Sequence, residues 1–334
     1  MTSASGGAAA GAPRGAGASA GASPAGGPAI EVDRLTRRFG ARTAVDGLTF
    51  SVGRGELFGL VGPDGAGKTT SLRMLAGVLR PTSGDARLLG LSVARDPEAV
   101  KPLLAYMSQR FGLYTDLTVL ENLHFYADLY RVPRSERPAR LERLFQFSRL
   151  GPFRDRLAGQ LSGGMKQKLG LSCALIHQPE ILLLDEPTFG VDPVSRRDLW
   201  LIVHDMVARG TTVVVSTAYM DEAERFDRVA LLHAGRVLTL DSPAALQRAL
   251  EGTVLGVRAE PLRPARDALL GLPAVRRAVV FGDRLHVVVG DAAADLPAVQ
   301  AALQAAGCRV LSAEALEPSM EDVFIEHVER AGAA

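Results

Sequence analysis

The sequence predicts an α/β fold: a parallel sheet covered by helices, joined to an antiparallel β portion and an inserted helical portion, with a small α+β domain behind it. Three observations predict it. Leu57 to Val61 is an apolar strand-like run that leads into Gly62-Pro63-Asp64-Gly65-Ala66-Gly67-Lys68-Thr69-Thr70 and then into helical spacing at Leu72, Leu75, Ala76 and Leu79. Ile181-Leu182-Leu183-Leu184 is a continuous apolar run, as a parallel strand covered on both faces requires. From Val254 onward the pattern reads βαββαβ, the order of a ferredoxin-like domain.

The chain has 334 residues, enough for two domains and a sizeable core. Lysine and arginine number 38 against 37 acidic residues, so no net field draws nucleic acid or an anionic surface. The lysines are Lys68, Lys101, Lys166 and Lys168. Cys173 and Cys308 give no disulfide framework and read as small apolar core residues. No apolar run reaches the roughly 20 residues of a membrane helix, so a role at a membrane needs another chain to span it.

Residues 1 to 28 are almost wholly Ala, Gly, Ser and Pro with one charge, Arg14, and read as a disordered tail without a signal peptide. Ile30-Glu31-Val32 and Leu48-Thr49-Phe50-Ser51-Val52 alternate as half-buried antiparallel strands do. Phe39, at the end of the first, has a ring that can stack on a base.

Gly62 to Thr69 fits the phosphate-binding loop G-x-x-x-x-G-K-[ST], here with strand before and helix after. Gly62, Gly65 and Gly67 tolerate positive φ and allow close approach of a phosphate. Lys68 reaches the β- and γ-phosphates, the Thr69 hydroxyl ligates Mg²⁺, and the helix opening at Lys68 points its positive end at the same anion. The helix is expected to stop after Leu79, at Pro81 and Gly84, and a polar connection leads to a strand from Leu103 that ends in the amide of Gln109.

Thr118 and Glu121 form a capping box ahead of Leu120, Leu123, Ala127 and Tyr130. Pro133 breaks that helix and Leu141, Leu144 and Phe145 begin another, so the helical insertion covers about residues 115–160. Leu161-Ser162-Gly163-Gly164-Met165-Lys166-Gln167 opens the next helix; Ser162 caps it and the glycines bare its first amides as a second anion site. Asp185 and Glu186 then stand at the carboxyl end of the apolar strand, where ligands of open α/β sheets bind.

Gly62 to Thr69, Gln109, Leu161 to Gln167, Ile181 to Glu186 and Asp192 together resemble the ATP-binding cassette (ABC) ATPases, over about Ile30 to Leu246. The details are similar to the bacterial multidrug-resistance branch, whose membrane partners are of the ABC-2 type. Pro318-Ser319-Met320-Glu321-Asp322-Val323-Phe324 resembles a motif that branch carries after the cassette. The resemblance implies a P-loop NTPase (RecA-like) core within a cassette at 29–250; the domain at 253–330 shows no titratable cluster or glycine loop in its sequence and is expected to serve interaction or regulation.

It also implies roles. Gly62, Asp64, Gly65, Ala66, Gly67, Lys68, Thr69 and Thr70 would cradle ATP, and Phe39 would stack on adenine. Thr69, Gln109 and Asp185 would hold Mg²⁺. Glu186 would polarise the attacking water, with Gln109 and Lys68 assisting. Ser162, Gly163 and Gly164 would close on the ATP of a second cassette in a head-to-tail dimer, and Asp192 would link the two sites. Catalysis of this kind is mostly positioning and charge stabilisation.

One departure matters. In Ser216-Thr217-Ala218-Tyr219, Ala218 stands where the family has a histidine that contacts the γ-phosphate. His204 and His233 are expected to be ordinary surface or core residues. This implies a site that binds ATP and hydrolyses it slowly, beside an active partner. Asp64 and Cys173 are smaller departures. The implied function is the ATPase subunit of an exporter, peripheral on the cytoplasmic face of the membrane, bound to ABC-2 type permease subunits and to no nucleic acid. The alternatives are a soluble ABC ATPase acting on ribosomes or DNA, and a nucleotide-binding subunit that never hydrolyses ATP.

Overall fold

The alternating N-terminal segments form β1 (Ile30–Phe39) and β2 (Arg42–Val52), paired antiparallel with Ile30 opposite Val52 and Val32 opposite Phe50. The structure, a computed structural model, describes residues 27–109 and 112–333; the tail expected over residues 1 to 28 lies, but for its last two residues, outside the described residues. β3 (Leu57–Val61) enters the glycine loop and α1 (Lys68–Leu75) leaves it.

Two expectations about the following stretch are corrected. The helix ends at Leu75 and not after Leu79, because Gly77 takes φ +66° and its amide closes on the Met74 carbonyl while the Val78 amide closes on that of Arg73. The polar connection holds β4 (Ser83–Leu88) and β5 (Leu91–Ser92), which complete a sheet of order β2-β1-β4-β5, and then α2 (Pro97–Val100). Only Ala86 and Leu88 of the six residues of β4 are apolar, so its alternation is too short to stand out.

β6 (Leu104–Met107), β7 (Ile181–Asp185), β8 (Thr212–Thr217), β9 (Arg228–His233) and β10 (Arg236–Asp241) join β3 in a sheet of order β10-β9-β3-β8-β7-β6. All neighbours are parallel except β10 on β9. Every residue of β3, β7 and β8 is buried. Leu182, Leu184, Val213 and Val215 share one core with Leu169 of α5 (Gly163–Leu175) and Trp200 of α6 (Pro193–Ala208). Ile181, Leu183 and Val214 share the other with Leu72 of α1 and the antiparallel sheet.

Between β6 and α5 lie α3 (Val119–Leu129) and α4 (Arg137–Ser148). The capping box at Thr118 and Glu121 forms in both directions. Asn122 is wholly buried, and its Nδ2 donates to the carbonyls of Tyr114, Leu117 and Thr118 while its Oδ1 accepts from the Tyr114 amide. Asn122→Ala strands these groups and is expected to lower stability by about 2–3 kcal/mol, measured as a fall in the urea midpoint.

After α7 (Pro243–Arg248), the C-terminal domain follows the expected order: β11 (Thr253–Glu260), α8 (Leu262–Leu270), β12 (Val275–Phe281), β13 (Arg284–Val289), α9 (Ala292–Ala305) and β14 (Arg309–Leu316). Its antiparallel sheet runs β12-β13-β11-β14, with α8 and α9 packed on one face. α9 begins five residues before Pro297, because Asp291 caps the amides of Ala293 and Ala294.

The apolar spacing of Met320, Val323, Phe324 and Val328 predicts that the last helix, α10 (Met320–Ala333), closes this domain with one face. Instead Met320 and Val323 join Val254 and Val288, on the sheet's other face, to the cassette core through Ala223, Leu246 and Leu250. The domain also holds the titratable cluster that the sequence reading denied it. Buried Asp322 bonds His286 Nδ1 at 2.9 Å and Ser319 Oγ at 2.8 Å, and Arg277 reaches the Asp322 carbonyl and Glu329. These residues come from separate strands and the final helix, which explains why no local motif announces them.

Candidate functional site

Parallel strands end their hydrogen-bond ladders on one edge of the sheet, and the residues that follow them share that edge. β3 delivers the glycine loop, β7 delivers Asp185 and Glu186, and β6 ends two residues before Gln109. Phe39, Asp64, Gly65, Gly67, Lys68, Thr69, Thr70, Gln109 and Glu186 line one cavity of about 550 Å³.

Gly65 and Gly67 have φ of +79° and +103°, and a Cβ on Gly67 would lie 2.7 Å from the Ala44 carbonyl oxygen. Gly62 needs glycine for a different reason. It is not in the positive-φ region, and its Cβ would stand 2.2 Å from the Leu232 carbonyl oxygen of β9. Neither Gly62 nor buried Ala66 lines the cavity. Lys68, 4% exposed, donates from Nζ to the carbonyls of Gly62 at 2.7 Å and Pro63 at 3.1 Å.

Lys68 Nζ also lies 3.3 Å from Glu186 Oε1, and Gln109 Nε2 donates to Glu186 Oε2 at 3.1 Å. Glu186 has φ +50°, a left-handed conformation that is uncommon for a side chain of this size and is tolerated where surrounding structure imposes it. Its amide is held by both the carbonyl and the hydroxyl of Ser216, each at 3.1 Å. Asp185 is 1% exposed. Oδ1 accepts from Thr69 Oγ1 at 2.9 Å and Ser216 Oγ at 2.7 Å, and Oδ2 accepts from the Tyr106 hydroxyl at 3.2 Å. Burial and the nearby Asp185 charge push Tyr106 up to about 12, against the opposing pull of Arg73, so it stays a donor at neutral pH.

Phe39 is 47% exposed at the cavity's lip, with the Arg37 guanidinium 4.6 Å from its ring centre. Arg42 and Phe189 also line the cavity, and sequence reasoning missed both. Arg42 opens an ordinary strand and no local signal marks it. It missed Tyr106 and Ser216 as well, which lie in strands read only for their apolar content.

Ser162, Gly163 and Gly164 stand apart from this cavity. Ser162 caps α5 by accepting from the Met165 amide at 3.3 Å, and it and Gly163 are exposed. A Cβ on Gly164 would meet Ser195 Oγ at 2.1 Å, so glycine is required by the contact with α6. Asp192 caps α6 through the Ser195 amide at 2.9 Å, which lowers its pKa.

Ala218 follows β8 and is partly exposed. Neither His204 nor His233 lines the cavity: His204 is exposed on α6, and His233 sits with its ring 6.2 Å from that of Phe324. Cys173 and Cys308 are buried free thiols, and burial raises the pKa of Cys173. Among the described residues no helix is long and apolar enough to cross a membrane.

A strand, glycine loop and helix set against the carboxyl ends of a parallel sheet, with paired acids at the end of a strand one place removed from the loop strand, define a P-loop NTPase with a RecA-like core. The family description "ABC transporter" matches residues 45–189, and "ATP-binding protein DrrA1-3-like, C-terminal domain" matches 242–328. The chain is 42% identical over 307 residues to the probable multidrug ABC transporter ATP-binding protein YbhF of Escherichia coli (strain K12), covering 91% of this chain and 52% of that one. It thus spans about half the length of that relative. It is 34% identical to the daunorubicin resistance ATP-binding protein DrrA2 of Streptomyces coeruleorubidus, covering 89% of this chain and 94% of that protein.

Among solved structures, an ATP binding subunit of an ABC transporter superposes with TM-score 0.60 at 32% identity, covering 66% of this chain and 92% of that one. A dimeric ATP-binding cassette in a post-hydrolysis state, bound to ADP and Pi, does so with TM-score 0.58 at 25% identity, covering 64% and 98%. The chain belongs to the ABC transporter ATP-binding proteins.

Proposed function

We propose that this chain binds ATP with Mg²⁺ in the loop cavity and hydrolyses it to energise export by ABC-2 type membrane subunits, as a peripheral protein on the cytoplasmic face of the membrane. The observation that carries this is the convergence of Lys68, Thr69, Gln109 and Glu186 on one cavity, with Asp185 buried behind it and bonded to Thr69, while Ser162 and Gly163 are exposed elsewhere. That division suits a head-to-tail pair, in which the exposed cap of α5 faces the ATP of a second cassette. Asp192, beside the same surface, would join the two sites.

The donors fit the metal. Thr69 Oγ1 and Asp185 Oδ1 are hard oxygens 2.9 Å apart at the loop, Gln109 lines the same cavity as Thr69, and such oxygen ligands suit Mg²⁺. When bound, the ion supplies positive charge against the phosphate oxygens. The remaining work falls to the side chains. Lys68 leaves Glu186 and the loop carbonyls for the phosphates, freeing the Glu186 carboxylate to accept a proton from water. Gln109 holds that water, and Phe39 offers its ring to the base. Ala218 leaves the γ-phosphate one donor short, so this site turns over slowly and the exposed cap serves a partner with a complete site.

For the membrane partner, Tyr114 and Phe125 stand half exposed with ring centres 4.4 Å apart, and Leu129 is exposed on the same helix as Phe125. Tyr114 lies five residues after Gln109, so a chain docked there would meet the segment that follows this amide. The test is affinity purification of tagged protein from detergent-solubilised membranes, with and without Tyr114→Ala/Phe125→Ala. The expected result is a polytopic membrane protein that copurifies with the parent chain, is lost with the double variant, and stimulates ATP turnover in liposomes. Recovery of ribosomes or DNA instead would overturn the reading.

A further inference from the structure

We propose that Tyr106 and Ser216 are positioning residues for the nucleotide site: their hydroxyls clamp Asp185 from both flanking strands and set its carboxylate for a metal-bound nucleotide. The inference deepens the Mg²⁺-ATP reading and rests on it.

Asp185 ends β7, the strand that lies between β6 and β8. A buried carboxylate needs its lone pairs satisfied, and its described hydrogen-bond partners are three hydroxyls. Thr69 belongs to the cavity itself. The other two do not line it, and each comes from a neighbouring strand: Ser216 from β8, in register with Asp185, and Tyr106 from β6. The clamp therefore stays in place whatever Thr69 does.

Ser216 acts twice. Its Oγ donates to Asp185 Oδ1 at 2.7 Å and accepts from the Glu186 amide at 3.1 Å, so one wholly buried hydroxyl ties the carboxylate to the backbone of the next acid. That backbone is the left-handed one, with φ +50°, which aims the Glu186 side chain back at Lys68 and Gln109. Tyr106 also lies within electrostatic reach of Arg73 of α1, whose positive charge acts on the hydroxyl that donates to Asp185 Oδ2. Outer partners that orient a ligand typically change metal affinity about 10- to 100-fold when removed.

The experiment reads nucleotide binding, not turnover. Binding of a fluorescent ATP analogue to the full chain is measured in EDTA and again as Mg²⁺ is titrated, for the parent protein, Ser216→Ala, Tyr106→Phe, the double variant and Ser216→Thr. Both single variants are expected to need about tenfold more Mg²⁺ for the half-maximal effect, with affinity in EDTA unchanged. Ser216→Thr keeps the hydroxyl and should return the midpoint to that of the parent. If Ser216→Ala does not fold, Tyr106→Phe, which keeps the ring in place, decides alone. Unchanged midpoints, or equal losses with and without Mg²⁺, would overturn the proposal. A parent protein whose binding ignores Mg²⁺ would instead overturn the metal-nucleotide reading on which it rests.

Discussion

Glu186→Gln is expected to lower ATP turnover by about 10²- to 10⁴-fold while leaving ATP binding intact. The carboxylate is the cavity's candidate general base, fixed by a left-handed backbone and held by Lys68 at 3.3 Å and Gln109 at 3.1 Å. An amide keeps the shape but cannot take a proton from water. It also removes the ion pair that Lys68 must leave to reach phosphate, so ATP affinity holds or rises. With hydrolysis blocked, the ATP-bound pair of cassettes should accumulate and elute as a dimer in size-exclusion chromatography with Mg²⁺-ATP. Undiminished turnover in Glu186→Gln would remove Glu186 from the chemistry.

Ala218→His is expected to move turnover in the opposite direction, raising it about 10²- to 10³-fold, the usual worth of one preorganised group aimed at transition-state charge. Residue 218 directly follows β8, whose Ser216 already touches both acids, so a side chain there starts from the right edge of the sheet. Its neighbours are committed elsewhere. Thr217 Oγ1 donates to Glu222, and the ring of Tyr219 carries the Arg196 guanidinium at 4.6 Å. Steady-state ATPase rates of Ala218→His, alone and combined with Glu186→Gln, check this. A gain that Glu186→Gln abolishes places the deficit at the γ-phosphate. A parent chain that turns over briskly and is indifferent to Ala218→His would end the reading of an impaired site.

The elements that were easy to read share a property: their signal is local. The loop Gly62 to Thr69, the capping box at Thr118 and the apolar run of β7 each sit within a few residues, and each forms. β4 carries no such signal, because its partner β1 lies far away in the chain and only two of its six residues, Ala86 and Leu88, are apolar. The end of α1 was misplaced because Pro81 and Gly84 look like stop signals, whereas Gly77 already reverses the backbone.

By itself, then, the sequence determined the glycine loop between strand and helix, the capping box and the order of the C-terminal βαββαβ segments, because each depends on residue type at fixed spacing. Tertiary structure alone decided the rest. An amphipathic helix announces that one face is buried but not against what, so only the fold shows α10 pinned between the C-terminal sheet and the cassette core. A hydroxyl in an apolar strand carries no label either. Tyr106 and Ser216 become neighbours of Asp185 only because β6 and β8 flank β7, a juxtaposition set by sheet order and not by spacing along the chain.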